Sequence, residues 1–426
     1  MKYKLTCLLS AIVSFLLIAT PAVFSAENWD EFLGPQGRCH GLEAQGSQAP
    51  LTWSESENIV WKAEVAGRGW SSPVVWGNQI WFTTADEKGL TRSVLCYDKT
   101  TGKKIHDILL YKVEKPERCN KVNSFASPTP VVEEGRVYVH FGAVGTACLD
   151  MKTGKKLWER TDLDWLPIQG FGSSPIIYKN LIILTCDGGD VQFLIAFDKN
   201  SGKTVWKVDR SVKFVDEKPV FRKGYCTPTI RTWEGKDYML SSASKAAYCY
   251  DPATGKEYWR FEFPRFSETS TMRPQCWKNL VIVNTGHPLP ADIYALEIKS
   301  KGVLGDNDII WDNANNIGPW MTPVLVEDHL YMPDGKGMIS CINVESGETT
   351  WKKRIGGNFW ASPIYQKGRV YFFDDEGKTT VVAADPKECR VLATNTLDAG
   401  CMGTPAVLTD TIILRTKTHL YCIRKK

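Results

Sequence analysis

One eleven-residue pattern, AFDKNSGKTVW at residues 196–206, recurs along the chain and restricts it to a repeat architecture. Asp98 is followed by Gly102 and Lys103. Asp150 leads to Gly154, Lys155 and Trp158. Asp198 leads to Gly202 and Trp206, Asp251 to Gly255 and Trp259, and Asn343 to Gly347 and Trp351. Two copies are degraded: Glu297, whose Trp is displaced to Trp311 by an insertion, and Asp385, which keeps neither Gly nor Trp. A second mark precedes each copy, a proline usually preceded by Ser or Thr. The prolines are Pro73, Pro128, Pro175, Pro228, Pro274, Pro323, Pro363 and Pro405. Apolar hairpins such as 176–184 follow them, so each unit holds about four short strands. Four-stranded repeats of ~40–50 residues describe propeller blades.

The eighth unit ends at its third strand, residues 420–423, and lacks a Trp strand. Residues 59–65, which precede the first proline mark, supply one with Trp61. Pairing the two ends closes the ring and covers an exposed sheet edge. The expectation is an all-β, eight-bladed β-propeller over 59–426, closed by its N- and C-terminal strands, with an extension at 27–58. In each repeat, Asp and Gly make the turn between the third and fourth strands. The Trp then faces the neighbouring blade and seeks a partner for its indole N–H. Trp61, Trp158, Trp206, Trp259 and Trp351 are therefore read as structural docking residues.

Residues 1–26 place Lys2 and Lys4 before the apolar run 8–19 and end in small residues, the pattern of a cleaved signal peptide. It implies a periplasmic or extracellular protein that is not integral to the membrane. The full chain carries 52 Lys and Arg against 48 Asp and Glu, with no long basic run, which implies no nucleic-acid partner. A monomer is the expected state.

Five of the 13 cysteines fall into one register. Cys96, Cys148, Ala196, Cys249, Ala295, Cys341, Ala383 and Cys422 stand at equivalent places, where Cys alternates with Ala. The position wants a small buried residue. Cys39 and Cys119 lie in irregular segments and remain available to pair. The absence of Cys-x-x-Cys and of any His cluster leaves no metal site to name.

The repeat resembles the tryptophan-docking motif of the pyrroloquinoline quinone (PQQ)-like repeat propellers, and with the proline marks the resemblance covers about 59–426. The stretch Trp29-Asp30-Glu31-Phe32-Leu33-Gly34-Pro35 is similar to a Trp-x-x-Phe-x-Gly-Pro segment found on many bacterial members. Two branches follow from the resemblance. Quinoprotein alcohol and sugar dehydrogenases hold PQQ and Ca²⁺ with an adjacent cysteine pair, which this sequence lacks. BamB-like propellers share the repeats without catalysis. The resemblance thus implies a secreted, non-catalytic binding or assembly scaffold with no cofactor. The alternatives are a quinone-dependent dehydrogenase using PQQ and Ca²⁺, and a glycan-binding or glycan-cleaving propeller.

The loop entering each first strand borders the central channel. Three residues before the proline marks stand Trp70, Phe125, Gly172, Tyr225, Thr271, Trp320, Trp360 and Met402. The five aromatics form a candidate collar, either a stacking site for a flat ligand or a packed plug. Arg273 replaces the usual Ser or Thr before its proline, either to meet an anion or to cap a neighbouring blade. A protein or glycan partner would bind at this mouth or on the inserted loops 111–124, 162–171, 209–224 and 284–292. His287, in the last of these, reads as a solvated turn residue. The segments 187–190 and 334–337 read as ordinary Asp-Gly turns.

Overall fold

The computed structural model describes residues 27–426 apart from Asp216, Phe266, Pro288, Leu289, Pro290 and Pro319; the signal-like pattern at 1–26 lies outside the described residues. Eight antiparallel sheets follow one another around a central channel. Blade 1 is Val74–Trp76, Gln79–Ala85, Thr91–Asp98 and Lys104–Lys112. Blade 2 begins at Val131–Glu133, blade 3 at Ile176–Tyr178, blade 4 at Thr229–Trp233 and blade 5 at Gln275–Trp277. Blades 6, 7 and 8 begin at Val324–Val326, Ile364–Gln366 and Ala406–Val407. Ile59–Glu64 pairs with His419–Arg424 and completes blade 8, so the ring closes as its termini suggest.

The repeat's chemistry is visible in the turn of blade 3. Asp198 Oδ1 accepts the N–H and the hydroxyl of Ser201, both at 2.8 Å, and the Gly202 N–H returns to the Asp198 carbonyl at 2.8 Å. Gly202 has φ 70°, and a Cβ there would stand 2.8 Å from the Trp158 ring of the preceding blade. Glycine is thus required twice, for the left-handed turn and for the seat of the indole. The indole N–H then reaches a carbonyl of the next blade: Trp61 to Lys99, Trp158 to Lys199, Trp259 to Ile298, Trp311 to Val344 and Trp351 to Asp385, at 2.8–3.0 Å. Trp206 packs over Gly255, but its N–H has no partner among the described residues.

The small residue has an equally local cause. Cys148, Ala196, Cys249, Ala295, Cys341 and Cys422 lie directly across the strand pair from Trp158, Trp206, Trp259, Trp311, Trp351 and Trp61. A larger side chain there would displace the indole. In blade 7 the register differs from the sequence reading. The Ala384 N–H bonds the Gly368 carbonyl as Lys99 does Asn78, so Val381, not Ala383, holds the small-residue position. Without Asp and Gly, the sequence alone could not fix that turn. The insertion after Glu297 forms Gly302–Leu304, which adds parallel to Glu257–Glu262 of blade 4 and so displaces Trp311. The described cysteines, including Cys39 and Cys119, are free thiols.

Antiparallel order puts the loops entering each first strand on one rim, the loop face, and the docking turns on the other, the turn face. Residues 29–42 lie across the turn-face opening. Trp29 exchanges backbone hydrogen bonds with Val75, Asp30 accepts from Val132, and residues 39–42 bond Tyr365 and Val407. Asp30 is the uncomfortable residue of this segment. One carboxyl oxygen is buried without a partner among the described residues. Burial, followed by the neighbouring Glu31, pushes its pKa from 3.8 up to about 6, against smaller opposing effects of its own backbone and Arg273. The folded chain therefore holds this proton more tightly than the unfolded chain, and the group costs stability that grows as pH rises past about 3.8 and is complete above about 6. Asp30→Asn is expected to raise the thermal midpoint at neutral and alkaline pH, with the gain vanishing below about 3.8, where the carboxyl is protonated in both states. Scanning calorimetry across that range checks it; a gain independent of pH would assign the effect to shape and not to charge.

Candidate functional site

The innermost layer of the ring is a belt of hydroxyls, and it explains the proline marks. At six of the eight blades, the backbone N–H of the residue before the proline donates to the hydroxyl of its counterpart in the next blade. Ser72 donates to Thr129, Thr129 to Ser174, Ser174 to Thr227, Arg273 to Thr322, Thr322 to Ser362 and Ser362 to Thr404, at 2.9–3.0 Å. Proline then sets the chain in extended form for the first strand. The belt corrects one register. Blade 2 uses Thr129-Pro130, not Pro128, because Ser127-Pro128-Thr129-Pro130 offers the mark twice. Ser127 therefore holds the collar position, and Phe125 lies two residues outside it.

Arg273 interrupts the belt, having no hydroxyl to accept from blade 4. Its side chain is 2 % exposed. Nε donates to the Pro228 carbonyl at 3.0 Å, Nη1 to the Phe32 carbonyl at 2.6 Å, and Nη2 to Glu31 Oε2 at 2.8 Å. The guanidinium therefore both caps the neighbouring blade and ties down the N-terminal segment, away from the loop-face mouth. Gly37, at φ 64°, lies flat against it, leaving no room for a Cβ.

The structure brings only part of the collar together. Trp320 and Trp360 stack at 6.1 Å between centroids and 19° between planes, and His287 also stacks with Trp320 at 5.7 Å and 19°. Trp70 lies elsewhere on the rim, its N–H on the Val122 carbonyl and the Arg68 guanidinium 4.9 Å from its ring. Phe125 is covered by buried Arg92 at 4.9 Å, itself paired with Glu117. Tyr225 is half-buried beside Ser270, whose carbonyl accepts its N–H.

His287, expected to be a solvated turn residue, is 44 % exposed and has a carboxylate partner. Its Nδ1 is 3.0 Å from Glu268 Oε1, and Glu268 Oε2 is 3.3 Å from the buried Lys223 ammonium. Burial lowers the Lys223 pKa, and the Glu268 charge opposes that shift. Glu268 and His287 also exchange two backbone hydrogen bonds, at 2.8 and 2.9 Å. Thr269, next in the loop, takes φ 57°, a strained value for a β-branched residue. The carboxylate thus orients the imidazole, and the ring, 44 % exposed, keeps Nε2 free of partners among the described residues. Such an arrangement can accept a proton or a hydrogen bond from a ligand stacked on the two indoles. A lone His in a loop gave no signal of this; Glu268 is 19 residues away and belongs to another connection.

Among the described residues, no group of three or more His, Cys, Asp or Glu is placed to hold a metal ion. With no adjacent cysteines in the sequence, the residues present do not fit the PQQ and Ca²⁺ set of the dehydrogenase branch. No described helix is long and apolar enough to cross a membrane.

A family model described as the outer membrane protein assembly factor BamB matches residues 45–164 and 187–426. The chain belongs to this family. BamB from Moraxella catarrhalis superposes with a TM-score of 0.56 at 11 % identity, covering 85 % of this chain and 99 % of that one. The quinohemoprotein alcohol dehydrogenase of Comamonas testosteroni gives 0.69 at 12 % identity, over 94 % and 81 %. A europium-containing methanol dehydrogenase gives 0.64 at 13 %, over 92 % and 88 %. These likenesses share the fold. In sequence, the chain is 22 % identical over 339 residues to the tetrathionate hydrolase of Acidithiobacillus ferrooxidans, covering 75 % of this chain and 65 % of that protein's length.

Proposed function

We propose that the protein is an exported, non-catalytic binding or assembly propeller that holds its partner at the loop-face mouth and carries no cofactor. The observation that carries the reading is the stack His287–Trp320–Trp360. Three stacked rings held by rigid blades offer their edges and a free outer face to a sugar ring or an aromatic side chain, and Glu268 fixes one member of the stack. Membership in a family described by an assembly factor supports a partner in place of a substrate. Export rests on the 1–26 pattern.

A glycan-cleaving reading draws on the Glu268–His287 pair beside the stack. Both are tested by following Trp fluorescence while titrating the mature protein with oligosaccharides and with Tyr- and Trp-containing peptides. Release of reducing ends is measured in the same samples, as is dye reduction with PQQ, Ca²⁺ and simple alcohols. The expected result is saturable binding to one ligand class without turnover. Trp320→Ala and Trp360→Ala should each weaken it about tenfold, the weight of one stacked ring. Reducing-end release lost in His287→Ala would replace the scaffold by a hydrolase. Dye reduction would replace it by a dehydrogenase.

A further inference from the structure

The turn face holds a separate cavity. Residues 29–42 bond blades 1, 2, 5, 6, 7 and 8 but, among the described residues, make no hydrogen bond to blades 3 or 4. Over that open sector lies a space of about 780 Å³, roofed by Gln36–Arg38 and His40 and floored by the first strands of blades 3 to 6. Its size falls within the range of small-molecule sites, roughly 300–1,000 Å³. Ile176, Ile230 and Leu325 supply apolar surface.

The charges around it do not balance. Arg38, Arg231 and Lys278 line the space, and none of the three makes an ion pair among the described residues. Nε of Arg231 is buried with no hydrogen-bond partner among the described residues. Lys278 lies over the Trp277 ring at 3.9 Å, which leaves the ammonium free on its other side. Of the carboxylates, Asp237 is taken by Tyr178, Thr232 and Lys179, and Glu31 by Arg273. Glu327 alone remains to offset the three cations. Arg38 comes from the N-terminal segment, and Arg231 from the innermost strand of blade 4. The two therefore approach the space from roof and floor, a placement that suits one anionic group between them. A guanidinium fork matches a carboxylate or phosphate edge.

We propose that this cavity binds a small organic anion, a carboxylate or phosphate head gripped by Arg38 and Arg231 with an apolar tail against blades 3 to 6. The site is distinct from the loop-face platform and independent of what binds there.

Calorimetric titration with octanoate and with octyl phosphate tests it, with octanol and octylammonium as the uncharged and cationic counterparts. One of the two anions is expected to bind saturably at one site per chain and at least tenfold more tightly than octanol; the better of the pair identifies the head group. Arg231→Met is expected to weaken the better anion about tenfold, the weight of one charge-assisted hydrogen bond. Arg38→Ala, on an exposed turn whose side chain the fold does not need, should do the same and guards against a misfolded Arg231→Met. Octanol binding as tightly as the anions, no saturable anion binding, or anion affinity unchanged in Arg38→Ala would overturn the proposal.

Discussion

Trp259→Ala is expected to lower the unfolding free energy by about 3–5 kcal/mol, the usual range for deleting a buried Trp. Trp259 is the most enclosed of the docking indoles, at 0 % exposure. It joins blades 4 and 5 by three means. Its N–H donates to the Ile298 carbonyl at 3.0 Å. Its ring packs in a cluster with Phe261, Tyr294 and Leu296. Its strand also takes on Gly302–Leu304 in parallel. Truncation leaves a cavity at a blade interface that the closed ring cannot collapse, because the strands on both sides are fixed by their own ladders. Urea unfolding should show a lower midpoint with an unchanged slope. The same change at Trp158, which is half-buried, should cost less. Equal losses at the two positions would mean that the cost does not follow burial, and a loss at Trp259 below about 1 kcal/mol would mean that docking indoles contribute hardly at all.

What could be read from the sequence divides along a physical line. The blades were legible because each is specified by contacts within a few residues. Asp198 and Gly202 make their own turn, and Cys249 needs only to lie opposite Trp259. Closure was legible because Trp61 stands on a strand with no unit of its own. Registers failed where the local signal was doubled or absent. Ser127-Pro128-Thr129-Pro130 presents two marks, and only a hydrogen bond from blade 1 selects Thr129. Blade 7 lost its Asp and Gly and so was placed two residues late. The site was the least legible part. Glu268 and His287 belong to separate connections and meet only because the second strand and the loop before the first share a rim. Of the collar, Trp320 and Trp360 are in adjacent blades and stack, whereas Trp70 is drawn aside by Arg68 and Phe125 lies outside the collar register, against Arg92. Sequence spacing set their height in the channel and could not set the direction of their rings.

Arg273→Ala is expected to cost about 3–5 kcal/mol, because it breaks a buried ion pair from one side. Before the structure, two roles were open to this residue, anion receptor and cap, and they predict opposite results. A receptor at a channel mouth would lose ligand and keep its melting temperature. The observed geometry predicts the reverse. Glu31, whose side chain is 14 % exposed, would remain beside Asp30 with no cation between it and the blades. The Phe32 and Pro228 carbonyls would lose their donors as well. Like charges on adjacent residues then favour release of the N-terminal segment into water. Two readouts separate this from a general loss of packing. Trypsin should cut after Arg38 faster in the variant while the propeller itself stays resistant, because residues 39–53 are held independently by blades 7 and 8. Adding Asp30→Asn to Arg273→Ala should recover part of the stability at pH 8 and none below about 3.8, since only the ionised Asp30 repels Glu31. A melting temperature unchanged by Arg273→Ala would remove the ion pair from the forces that hold the segment in place. The backbone hydrogen bonds of Trp29 and Asp30 would then have to hold it alone.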